Sequence, residues 1–174
     1  MDESVKHRLI TVHGWTIDPH RIIYATILLM AALAIFDPTG NPALGSPLVE
    51  LAGLVAAPLV AVSLAHGFSD ALDIQIRTGH RLNGEDRKHL LFVATQYVLV
   101  GVPVIVIGAF LSLAGHDARE AVPAGLVLGV ASLFFWGAFA ARTADLGIWI
   151  QVRWACGYGL LGSVVILLEL LIRH

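Results

Sequence analysis

His66, Asp70, Asp73 and Arg77 follow one another at spacings of four, three and four residues, with Ser69 beside them. On a helix those steps keep all four side chains on one stripe. An imidazole with two carboxylates is a donor set for a divalent cation such as zinc or manganese. The same groups can pass protons, because histidine titrates near neutrality. A plainer reading is that a helix leaving a bilayer needs a polar face, and Asp73 four residues before Arg77 is a favourable acid-before-base pair. A metal site would need a further ligand. His20, His80 and His89 are candidates, but no spacing selects one, so all three readings stay open. The other histidines, His7, His13, His116 and His174, read as solvated.

No enzyme signature accompanies the stripe: there is no Gly-x-Ser-x-Gly elbow, His-Glu-x-x-His, phosphate loop or Cys-x-x-Cys. We therefore expect no enzymatic activity, no cofactor and no resident metal. Cys156 is the single cysteine and cannot form an internal disulfide; it reads as a small packing residue.

The elements that would position the stripe are apolar. Five stretches lack charged residues: 22–36, 51–69, 90–115, 121–141 and 154–168. A helix crossing the bilayer core needs about 20 apolar residues. Three stretches meet that, and the first and last meet it if polar end residues reach the interface. With 57% hydrophobic residues, 14% charged and a mean hydropathy of +0.78, the chain lies outside ordinary soluble proteins. The expected fold is all-α, a five-helix transmembrane bundle forming a single domain over residues 18–174 after a cytoplasmic lead at 1–17. Its spans are expected at about 20–36, 48–69, 88–114, 121–141 and 147–171. Trp15 in the lead is a candidate interface anchor. Ala32-Leu33-Ala34 superficially resembles a signal cleavage site, but Asp2, Glu3 and Asp18 precede it, and we expect the first span to be retained.

Basic residues orient the bundle. Lys6, Arg8, Arg21, Arg77, Arg81, Arg87, Lys88, Arg142 and Arg153 fall on one side of a five-span chain; only Arg119 and Arg173 fall on the other. Positive charge marks cytoplasmic loops, which places the N-terminus inside and the C-terminus outside. Arg142, Asp145 and Arg153 read as loop charges at the inner entrance of the last helix, and Glu169 as snorkelling or pairing with Arg173. The formal net charge of −2 and the absence of a Lys/Arg cluster argue against a nucleic-acid partner.

Local signals set the helix ends. Asp18-Pro19 and Ser46-Pro47 are helix starts, Asp37 to Pro42 is a stop, and Gly79 is a C-terminal glycine that carries the second helix beyond the membrane. Asn83 should cap a third helix running to Ala114, with Glu85 and Asp86 in its first turn. Pro103 and Pro58 should bend helices three and two. Gly125 and Gly129 are expected to bring another helix to close backbone distance, and Gly157, Gly159 and Gly162 offer a similar face. Partners are then the lipid bilayer and, through such faces, a second copy or another membrane protein. Because helices one and two are antiparallel neighbours, Arg21 or Tyr24 should approach His66 or Asp70 as the main polar cluster.

Residues Arg21 to Leu28, Leu64 to Leu72, Gly79 to Leu82 and Leu133 to Gly137 resemble, in order and spacing, a group of small five-span actinobacterial integral membrane proteins. The likeness covers about residues 18–172. It implies a bacterial plasma membrane and brings no activity with it. The Asp18-Pro19-His20 approach and a proline-rich first outer loop depart from that pattern. The expected role is structural or accessory; the alternative is a small oligomeric ion, proton or metal transporter using the stripe on helix two.

Overall fold

The computed structural model describes residues 10–12, 15–36, 45–144 and 146–173. The chain opens with β1 (Ile10–Val12) and β2 (Trp15–Ile17), an antiparallel pair in which Ile10 faces Ile17 and Val12 faces Trp15. This small hairpin lies in the segment read as a cytoplasmic lead. The other described residues are helical or connecting: α1 (Pro19–Ala34), α2 (Pro47–Thr78), α3 (Gly84–Leu99), α4 (Val102–Leu113), a 3-10 turn (Ala118–Glu120), α5 (Ala121–Thr143) and α6 (Ile148–Arg173).

A helix of only 16 residues stands at the centre. α1 touches α2, α3, α5 and α6, and buries Ile23, Ala25, Leu29, Met30 and Leu33 among them. Asp18 starts it by accepting a hydrogen bond from the His20 N–H at 3.0 Å, with Pro19 in the first turn. Its 16 residues rise about 24 Å, less than the ~30 Å hydrocarbon core. The Asp37 to Pro42 stop lies outside the described residues.

α2 has 32 residues, about 48 Å, and so outruns a bilayer core by several turns. Leu51, Val55, Leu59 and Val62 form its buried stripe. Pro58 is carried inside an unbroken helix, and Ser46 makes no side-chain capping bond, so Pro47 alone supplies the expected start signal. Gly79 ends the helix at φ +67°, a conformation that a Cβ disfavours, and its N–H bonds to Gln75 O at 2.9 Å.

The expected third helix is two helices, α3 and α4, meeting at 47° across Val100–Gly101. Pro103 has no N–H, and its ring crowds the carbonyl four residues back, at Leu99, where α3 ends. A Cβ on Gly101 would strike Val55 and Leu59, so the break rests directly on α2. At the other end of α3, Asn83 and Asp86 form a reciprocal capping box, with bonds of 2.7 and 3.1 Å.

α5 and α6 form an antiparallel pair with backbone-close contacts. A Cβ on Gly137 would lie 2.7 Å from the Tyr158 ring and 3.1 Å from Trp154 O; one on Gly162 would lie 3.3 Å from Val130 Cα. Three helices, α2, α5 and α6, are long and apolar enough to cross a membrane, and the bent α3–α4 pair makes a fourth if it is one span. Much of the outer surface is apolar, including Phe68 (73% exposed), Phe110 (71%) and Leu113 (88%), as suits a protein solvated by lipid.

Candidate functional site

The polar side chains of α1, α2 and α3 converge at the end of the bundle where α1 begins. Arg21 donates from Nε to Asp18 Oδ2 at 3.1 Å and from Nη2 to Asp70 Oδ2 at 3.0 Å. Its side chain is 23% exposed and that of Asp70 34%, so the bridge is partly shielded from solvent. One turn earlier on α2, the His66 ring lies between two phenols. Its centroid is 5.5 Å from Tyr24 of α1 and 5.2 Å from the buried Tyr97 of α3. His66 Nδ1 is 3.2 Å from Val62 O, and since a carbonyl can only accept, Nδ1 is the donor there. The helices are tied further by Gln96 Oε1, which accepts from Asp18 N at 3.3 Å, and by Ser63, which donates to Ala94 O at 3.1 Å.

The expected stripe is thereby divided. Arg21, Tyr24, His66 and Asp70 lie together, whereas Asp73 and Arg77 pair with each other further along α2, 58% and 71% exposed. Ser69 is exposed. Asp70 faces an arginine, and among the described residues no three His, Cys, Asp or Glu side chains converge closely enough to hold a metal ion. Chemically, the arrangement is a charge-assisted clamp with one aromatic-flanked imidazole beside it.

Spacing on α2 did not point to Gln96 and Tyr97. Their signal was available, since polar side chains within the apolar stretch 90–115 must face protein or water. A second cluster at the opposite end was missed as well. Arg119 grips Asp117 through its side chain, Nη2 to Oδ2 at 2.6 Å, and lies 3.9 Å from Glu50 of α2. Arg119 and Glu50 are only 11% and 16% exposed, so the α4–α5 turn is pinned to the start of α2. Asp117 accepts from both the Arg119 guanidinium and the Arg119 backbone N–H, which holds its carboxyl below the usual range.

Gly125 and Gly129 contact α1 differently from expectation. They are sockets for side chains: a Cβ on Gly129 would fall 2.5 Å from Met30 Cγ, and one on Gly125 would fall 2.9 Å from Leu33 Cδ1 and 3.1 Å from Val104. The backbone-close approach that glycine permits occurs instead at Gly137 and Gly162. Gly157 has open space before it. The expected Glu169–Arg173 pair, Asp145 and the Trp15 side chain lie outside what the structure describes; Arg142 and Arg153 are exposed.

A cavity of about 680 Å³ lies between α1, α3, α4 and α5, walled by Ile22, Met30, Phe92, Val104 and Trp136 among others. Neither His66 nor Asp70 lines it. No known protein family, curated protein or solved structure matches this chain.

Proposed function

We propose that the chain is a five-span integral protein of a bacterial plasma membrane, with its N-terminus cytoplasmic and its C-terminus outside. Its role is structural or accessory and non-enzymatic. In this reading α1 is the fifth crossing. It is short for the bilayer core, but its position among four other helices shields it. The nine-to-two division of basic residues supports the orientation. The resemblance to small actinobacterial membrane proteins supports the compartment.

The observation that carries the structural role is the engagement of Asp70 with Arg21 at 3.0 Å. A carboxylate held by a guanidinium joins two helices; it is poorly placed to take up and release a cation. The rival reading, an ion, proton or metal carrier, draws on His66, whose Nε2 makes no hydrogen bond among the described residues and whose ring lies beside two tyrosines. Flux measurements in proteoliposomes with a panel of monovalent and divalent cations and a proton-sensitive dye separate the two. The structural reading expects rates equal to those of empty liposomes. A flux that disappears in His66→Ala or Asp70→Asn would replace it with the carrier.

A further inference from the structure

The cavity between α3 and α5 has the depth, lining and flanking charge of a lipid site. Its wall on α5 runs from Gly125 to Trp136, about 16 Å of helix. That matches one leaflet, about half of the ~30 Å hydrocarbon core. On α1 the wall begins at Ile22, the residue after Arg21, so the end of the cavity is level with the Arg21–Asp70 bridge that marks where hydrocarbon gives way to polar groups. Exposed Thr95, Leu99, Leu128 and Ala131 ring a mouth that opens sideways. The 47° bend at Val100–Gly101 turns α4 away from the line of α3 and leaves the space unfilled by protein. An apolar hollow of this size forfeits dispersion contacts unless something occupies it, and beside a bilayer the available filler is a hydrocarbon chain.

Charge at the polar end selects the headgroup. Lys88 lies four, seven and eleven residues before Phe92, Thr95 and Leu99, on the same stripe of α3 and beyond the cavity's end. Arg142 lies eleven residues after Ala131, on the corresponding stripe of α5. Both are exposed. We propose that this cavity binds one anionic glycerophospholipid of the surrounding bilayer, an acyl chain between α3 and α5 and the phosphate between Lys88 and Arg142. The site rests on the membrane reading above and adds a ligand class to it.

Trp136 lines the cavity and serves as the reporter once Trp15, Trp149 and Trp154 are replaced by phenylalanine. The protein is placed in nanodiscs of unlabelled phosphatidylcholine, into which chain-brominated phosphatidylglycerol or chain-brominated phosphatidylcholine is titrated. Saturable quenching of Trp136 is expected, with phosphatidylglycerol half-saturating at a mole fraction at least threefold lower. Thr95→Phe, which fills the mouth, should abolish saturation. Lys88→Glu with Arg142→Glu, both exposed, should remove the headgroup preference and keep helix content by circular dichroism. Quenching that rises linearly with brominated lipid, or equally for the two headgroups, or unchanged in Thr95→Phe, overturns the site. Failure of the chain to enter nanodiscs at all would instead defeat the membrane reading on which the site depends.

Discussion

Arg21 of α1 and Asp70 of α2, 49 residues apart in the chain, meet at 3.0 Å, and the same guanidinium reaches back to Asp18 at 3.1 Å. One cation thus fixes the entry of α1 and its depth against α2. Asp73, one turn further along, pairs among the described residues with Arg77 of its own helix. The two carboxylates therefore predict different consequences of the same change.

Asp70→Arg should lower stability by about 1.5–3 kcal/mol, the range for hydrogen bonds to charged groups, because it leaves Arg21 opposed by a like charge in a partly shielded place. Asp73→Arg, at an exposed pair within one helix, should cost under about 0.5 kcal/mol. Thermal unfolding of the two variants in one detergent compares them directly. Equal shifts would mean that the bridge does not clamp α1 to α2.

Gly129→Leu must displace Met30, one of the largest fully buried side chains, from a position 2.5 Å from the new Cβ. Overpacking of this kind costs about 1–3 kcal/mol, and folded yield should fall with it. Gly157→Leu meets nothing within 4 Å and should be tolerated. Size-exclusion profiles and melting of the pair give the comparison; a damaging Gly157→Leu beside a harmless Gly129→Leu would contradict the packing described.

What the sequence discloses and what it hides divide along physical lines. The helical class is legible because charge-poor stretches of 15 to 26 residues leave few alternatives, and Asp18, Gly79 and Asn83 mark helix ends through local backbone chemistry. The nearness of Arg21 to Asp70 follows from depth alone, since antiparallel neighbours bring their matching ends together. Tyr97 and Gln96 could be placed only with α3's rotation, which three-dimensional packing decides and a hydrophobic run does not. The same limit applies to Gly129: its spacing announces a groove, but whether a backbone or Met30 fills it depends on the partner. Pro103 foretells a bend but not that α3 ends at Leu99, because the break also needs Gly101 to seat against Val55 and Leu59.

Stability at the α4–α5 turn should depend on acid. Asp117 has its folded pKa lowered by Arg119, first through the side-chain hydrogen bonds and then through the backbone N–H. A depressed carboxyl contributes stability above its unfolded value, about 3.9, and loses it as pH falls through the folded value. Asp117→Asn should therefore melt lower than the unchanged protein at pH 7, and the gap should close as the pH is taken below about 4. A gap that stays constant from pH 7 to pH 3 would show that the aspartate acts through shape and not through its charge.

The span number turns on α1. Its 16 residues are too few to cross a full core unaided, yet it is enclosed by α2, α3, α5 and α6 and begins beside the charged bridge. If α1 crosses with the bent α3–α4 pair as a single span, the five crossings put the termini on opposite faces, and nine of the 11 basic residues on the N-terminal one. A cytoplasm-active reporter fused at the N-terminus and an export-active reporter at the C-terminus should then both work. Cysteines introduced at Arg81 and Arg142 should be shielded from an impermeant thiol reagent added outside intact cells, in a Cys156→Ala background, while one at the exposed His116 should be labelled. Labelling of the first two, or one reporter type active at both ends, would leave α1 as a helix that enters the bilayer without crossing it.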